Sequence, residues 1–191
     1  IYEAMPGLLD LAATDNIELA NAAEIASTAL RGFGLEAGDV GHIADVLARS
    51  AADTNASVES MGYSFKYVAT VAEAADISLE ETAAAIGILS DAGIKGTKSG
   101  TTLRSIISRM INPTEKAKEV MGELGLEFYN TDGTMKSLSE IITTVNEKTS
   151  GLTQEQRNQA LSTIYGQQAL TGMLALLEAG PEKLDELTNS Y

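Results

Sequence analysis

A mainly α fold is what this sequence predicts: helical hairpins packed into a compact or segmented bundle, with one small β-hairpin near residues 126–136. Three observations carry that expectation. Apolar residues recur at helical spacing in segment after segment. Serine or threonine caps with an acidic or amide partner three residues on open several of these segments, and glycine or proline closes most of them. The period departs from helical only once, around an Asp-Gly dipeptide.

Met5-Pro6-Gly7 begins a short helix to Ala13, with proline in the first turn, where its missing amide costs nothing. Thr14-Asp15-Asn16 is read as the cap of a second helix from Ile17 to Leu30. Its alanine-rich side (Ala22, Ala23, Ala26) implies close approach to a neighbouring helix, and Gly32 and Gly34 end it. Val40, Ile43, Val46, Leu47 and Ala51 predict a third helix, broken at Asp53-Thr54-Asn55. Val58, Met61, Phe65, Val68 and Ala72 predict a fourth, on which Tyr63, Phe65 and Tyr67 are expected to pack in the core.

The sharpest signal is the stretch from Ser78 to Asn112, a helix, a glycine-rich basic loop and a second helix. Ser78 and Glu81 form a capping box, in which the serine oxygen takes the third helical amide and the glutamate reaches back to the cap. Leu79, Ala83, Ile86 and Leu89 then keep helical spacing until Gly93. After the loop, Leu103, Ile106, Ile107, Met110 and Ile111 form one face, and two such one-sided helices are expected to bury each other.

Asn112-Pro113-Thr114-Glu115 starts the next helix, which stops at Gly125. Leu126, Phe128 and Met135 flank Asn130-Thr131-Asp132-Gly133 and predict two short strands that must lean on a helix, since a lone hairpin is marginal in water. Ser137 with Glu140, and Thr153 with Gln156, open two more helices. The second is expected to run to Leu177, with Gly166 and Gly172 marking a kink or a close crossing. Gly180-Pro181 restarts a terminal helix. Eight to ten helices result, in two regions: 1–112, which includes the loop 93–102, and 113–191. Leu47 and Met61 precede Leu89 and Leu103 by forty-two residues, and Ala51–Asn55 resembles Ala12–Asn16. These echoes suit a stacked helical-hairpin repeat and equally suit chance in alanine-rich helices.

A chain of 191 residues is long enough for a real core, and with no cysteine it needs no disulfide to hold one. Its formal net charge of −14 opposes binding to nucleic acid phosphates. The charge is uneven. Residues 1–94 hold fifteen acidic and three basic side chains, whereas 95–191 hold twelve and ten. Lys95, Lys98, Arg104, Arg109, Lys116 and Lys118 form a basic island interrupted only by Glu115. It is either a solvated face or a surface that docks an acidic partner, with Lys95, Lys98, Arg104 and Arg109 as the candidate docking residues. The uncharged run 158–177 contains too many amides and glycines for a lipid-facing span.

No motif for chemistry emerges. The loop GIKGTKSG lacks the spacing of a phosphate-cradling loop and follows a helix, not a strand. His42, the only histidine, has no second ligand of its kind and is read as a surface or half-buried side chain beside Asp39 and Asp45. The neighbouring carboxylates Glu80-Glu81 and Asp185-Glu186 diverge by about 100° on a helix. No catalytic residue, cofactor site or metal site is assigned, and the chain is expected not to be an enzyme.

The run AADISLEETAAAIGILSDAGIKGTKSGTTLRSIISRM closely resembles the core region of tail tape measure proteins of long-tailed bacteriophages and prophages. The likeness extends through FGLEAGDVGHIADVLARSAADTNASVESM before it and LGLEFYNTDGTMKSLSEII after it, nearly the whole chain. The resemblance implies a structural part of the tape measure, which sets tail length during assembly and occupies the lumen of the tail tube. It also implies partners among tube subunits, tail assembly chaperones, tail tip proteins and other copies, assembly in the bacterial host cytoplasm and residence in the virion tail. The opening Ile1-Tyr2-Glu3 is read as that of a piece of a much longer chain. A helical-repeat scaffold that binds a partner is the alternative. A single continuous helix would span roughly 290 Å, and the glycines and prolines forbid one, so a compact or segmented module is expected rather than a rod.

Overall fold

Helical periodicity and caps become ten α-helices in the computed structural model, which describes residues 4–191. Ile1, Tyr2 and Glu3 lie outside the described residues. The helices are α1 (Met5–Thr14), α2 (Leu19–Gly32), α3 (Val40–Asp53), α4 (Val58–Ala74), α5 (Leu79–Asp91), α6 (Thr97–Ile111), α7 (Glu115–Leu124), α8 (Leu138–Thr149), α9 (Gln154–Tyr165) and α10 (Leu170–Ser190).

The first six helices form three hairpins stacked side by side. α1 packs on α3 and α3 on α5, while α2 packs on α4 and α4 on α6. The second helix of each hairpin starts at Leu19, Val58 and Thr97, thirty-nine residues apart each time. That spacing is the one linking Ala12–Asn16 to Ala51–Asn55, not the forty-two-residue echo. Beyond the third hairpin, α9 lies against α6, α7 against α9, and α10 against both α5 and α8. The apolar faces merge into one core that runs from Leu11 to Leu187.

Helix α5 is the centre of this core. Every residue from Thr82 to Ser90 is buried, so the helix has no water-facing side. α5 and α6 pack on each other as expected, but each has a larger partner: α5 packs most extensively on α10, and α6 on α4. Small side chains permit the close approach. A Cβ on Gly100 of α6 would sit 2.4 Å from the carbonyl oxygen of Ser64 on α4. On Gly172 of α10 it would sit 2.3 Å from the Thr102 methyl.

Local caps explain several starts. Ser137 with Glu140, and Thr153 with Gln156, each make both bonds of a capping box. Ser78 makes only one. Its hydroxyl oxygen accepts the Glu81 amide at 3.1 Å, but the Glu81 carboxylate turns away and accepts the amide of Leu138 at the start of α8, at 2.6 Å. Asp15, expected to cap α2, instead accepts the Val58 amide at the start of α4, at 2.6 Å. At the start of α7, within the run Asn112-Pro113-Thr114-Glu115, the cap is Thr114, whose hydroxyl oxygen accepts the Ala117 amide at 3.2 Å.

Two expectations about element type fail. Residues 126–136 form no strand among the described residues, only a single antiparallel bridge between Tyr129 and Met135 around the turn. The Asn130 amide donates to the Thr134 carbonyl and the Lys136 amide to the Phe128 carbonyl across the turn, without growing into a ladder among the described residues, and a lone pair of strands is marginal by itself. The long helix expected from Thr153 to Leu177 is broken at Gly166, whose φ of 88° ends α9. α10 is itself interrupted where expected, by the non-helical Gly180 before Pro181.

Candidate functional site

The basic island runs from the α5–α6 turn along the exposed side of α6 and into α7. Lys95 sits in the α5–α6 turn, Lys98 in the first turn of α6 and Arg104 near its middle, all exposed. Arg109, near the C-terminal end, is half-buried, with its guanidinium beside Gly166. Among the described residues none of these four makes an ion pair; the lysines and arginines that do are Arg49, Lys66, Lys118 and Lys183. Lys118 thus spends part of the island's charge within its own helix, on Glu115 at 2.8 Å.

A groove of about 550 Å³ separates this ridge from α4. Its lining includes Thr70, Val71 and Ala74 of α4, and Ser105, Ser108 and Ile111 of α6, with Arg109 at the edge and no carboxylate. The two helices are fixed beside it by Ser64, whose hydroxyl hydrogen bonds with Ser99 at 2.7 Å. The structure corrects the expectation for the α4 aromatics. Phe65 is buried and meets Phe33 edge to face, whereas Tyr63 and Tyr67 are 47% and 40% exposed. With Thr70 and Ala74 they form one exposed stripe along α4, of which Tyr63 borders α2, beside Glu24 and under Lys66, and Thr70 and Ala74 border the groove. The sequence carried this signal in the four-residue spacing of Tyr63 and Tyr67, which parts them from Phe65.

His42 is exposed on α3, as expected, but its partner is Glu80 of α5 and not Asp39 or Asp45. Burial pushes the Glu80 carboxyl up, and hydrogen bonds from its own amide, His42 and Ser78 outweigh that and hold it below its ordinary value. This pair edges a concavity of about 340 Å³ that Phe33, Leu35, Glu73 and Asp76 also line. Glu81 is the opposite case: burial raises it, as do Asp185 and Glu140. Among the described residues no group of three or more histidine, aspartate or glutamate side chains is placed to hold a metal ion. No helix among them is long and apolar enough to cross a membrane.

A profile of the family described as phage-related minor tail protein matches residues 1–166. The chain belongs to that family. This minor tail protein chain is 55% identical, over 190 residues and all of its length, to a tape measure protein of Pneumococcus phage Dp-1, of which it covers 16%. It is 31% identical over 194 residues to a probable tape measure protein of Escherichia phage P2, covering 24% of that protein. The chain therefore spans a quarter or less of these curated relatives. No solved structure matches it.

Proposed function

We propose that this chain is a folded segment of a tape measure, the long tail component whose length sets the length of the tail. The observation that carries the reading is the 55% identity, over the whole of this chain, to part of the Dp-1 tape measure protein. In this reading the segment is structural and not catalytic. Its parent assembles in the host cytoplasm, occupies the tube lumen of the virion tail and meets tube subunits, assembly chaperones, tip proteins and other copies of itself. Regions 1–112 and 113–191 are consecutive parts of one module, and Lys95, Lys98, Arg104 and Arg109 form its docking surface.

The test is made in the parent gene. Tails are measured by electron microscopy after in-frame deletion, and after duplication, of residues 1–191. The reading expects tail length to move in the direction of chain length, by at most roughly 290 Å for a fully extended helix. Tails of unchanged length in both strains would remove it. The stacked hairpins also favour a second reading, a scaffold whose surface grips a partner. In that case deletion stops assembly, and point substitutions on the α6 ridge do so as well.

A further inference from the structure

We propose that the outer face of the first hairpin, α1 and α2, receives one more helical hairpin of the same stack, supplied by the parent chain immediately ahead of Ile1. The proposal rests on the tape measure reading for the existence of chain outside residues 1–191, since this chain covers 24% or less of its curated relatives.

The stack repeats in its contacts as well as in its spacing. Gly62 of α4 lies against Ile25 of α2, thirty-seven residues earlier, and Gly100 of α6 lies against Ser64 of α4, thirty-six earlier. Two turns further along, Ala69 of α4 lies against Gly32 of α2. The companion row behaves alike: Gly87 of α5 lies against Thr54, which follows α3, and Asp91 at the end of α5 accepts the amide of Asn55. Each helix thus receives the preceding hairpin on one side and offers its other side to the next.

Counted back by the thirty-nine-residue repeat, the receiving positions Gly62 and Ala69 become Ala23 and Leu30 of α2. Counted back twice, Gly87 and Asp91 become Leu9 and Ala13 of α1. All four are uncharged, and among the described residues no earlier helix lies on them. Met5, Leu9 and Ala13 make an exposed stripe at four-residue spacing, with Met5 41% and Leu9 52% exposed. Exposed large hydrophobic side chains number three on this hairpin, with Leu19, against two on the second and one on the third. The register also says what arrives. Leu9 and Leu30 are bulkier than Gly87 and Ala69, so the incoming helices need alanine or glycine opposite them. A second copy cannot supply its third hairpin by stacking head to tail, because α10 already lies on α5 and α9 on α6. A hairpin on the same polypeptide arrives at high effective concentration, through a linker like residues 33–39, which join α2 to α3.

The chain has no cysteine, so single introduced thiols report on this face cleanly. Leu9→Cys, and Thr131→Cys as an exposed control in the α7–α8 connection, are placed in the 191-residue chain and in the same chain carrying roughly forty parent residues ahead of Ile1, one repeat. Maleimide labelling of Leu9→Cys is expected to match the control in the 191-residue chain and to slow at least about tenfold in the extended chain, where the control is unchanged. Ala23→Cys, paired with a cysteine thirty-seven residues ahead of it, the Gly62 to Ile25 spacing, is expected to form a disulfide under mild oxidation. Leu9→Glu is expected to leave the melting temperature of the 191-residue chain unchanged and to lower that of the extended chain. Equal labelling of Leu9→Cys in both chains, an unchanged melting temperature of the extended Leu9→Glu variant, or a parent gene with no residues ahead of Ile1 overturns the proposal. So does protection without the disulfide, the sign of a cover in another register. Protection in the 191-residue chain that rises with its concentration, the sign of a second copy, overturns it too. None of these readouts measures tail length, so the tape measure reading stands or falls separately, by the deletion and duplication strains.

Discussion

Glu81 joins two helices that lie far apart in sequence: it follows the Ser78 cap of α5, yet its carboxylate holds the first amide of α8. Burial, first, and the carboxylates of Asp185 and Glu140 push it above its ordinary value, against the pull of the Leu138 and Ser139 amides. The folded chain therefore binds this proton more tightly than the unfolded chain. The stability linked to that proton is fully present below the unfolded value and is lost as pH rises through the raised folded one. Glu81→Gln keeps an acceptor for Leu138 and removes the charge. Its melting temperature is expected to exceed the parent's near neutral pH and to approach it near pH 4, where the native glutamate is largely protonated. A variant that melts lower at neutral pH sinks this account. Glu81→Ala removes the acceptor and is expected to lose about 1–3 kcal/mol, the cost of an unsatisfied part-buried donor, measured by denaturant titration.

Helix contacts in this fold are tight enough for one methyl group to distinguish backbone from side-chain neighbours. On Gly100 a Cβ would collide with the Ser64 carbonyl oxygen and Cα, which move only if α4 and α6 part. On Gly172 the nearest atom belongs to the Thr102 side chain. Gly100→Ala is therefore expected to lose about 3 kcal/mol and Gly172→Ala about 1, read from urea midpoints; the reverse order would refute the comparison. The same contrast between local and distant neighbours explains what the sequence discloses. The boxes at Ser137 and Thr153 close within four residues, and both are legible as written. Asp15 and Glu81 have the same local spelling, but another helix's N-terminus lies within reach and takes the carboxylate. The turn at Asn130–Gly133 is legible; whether the flanking chain pairs as strands depends on the helices that bracket it. Likewise Thr82, Gly87 and Ser90 do not read as core residues, and become so because α3, α4, α6 and α10 enclose α5, with Gly87 against Thr54. The α6 ridge is plain in the charge pattern, while its groove needs α4 alongside.

At the scale of the whole molecule, the three stacked hairpins and the helices folded against them make a block rather than a rod. A compact chain of this length has a radius of gyration of about 16 Å, whereas a continuous helix approaches roughly 80 Å. Small-angle scattering of the 191-residue chain is expected near the lower figure, and a rod profile would exclude the fold described. The glycines and prolines foretell much of this compaction, and at two breaks that have neither, Asn16 and Asp76 take positive φ instead. They do not foretell which helix ends up inside. That position has a temporal cost. α5 is translated before its principal cover, α10, so the face that α10 covers stays unshielded until that helix emerges. A nascent chain arrested before residue 170 presents that seam to whatever binds newly made tail protein.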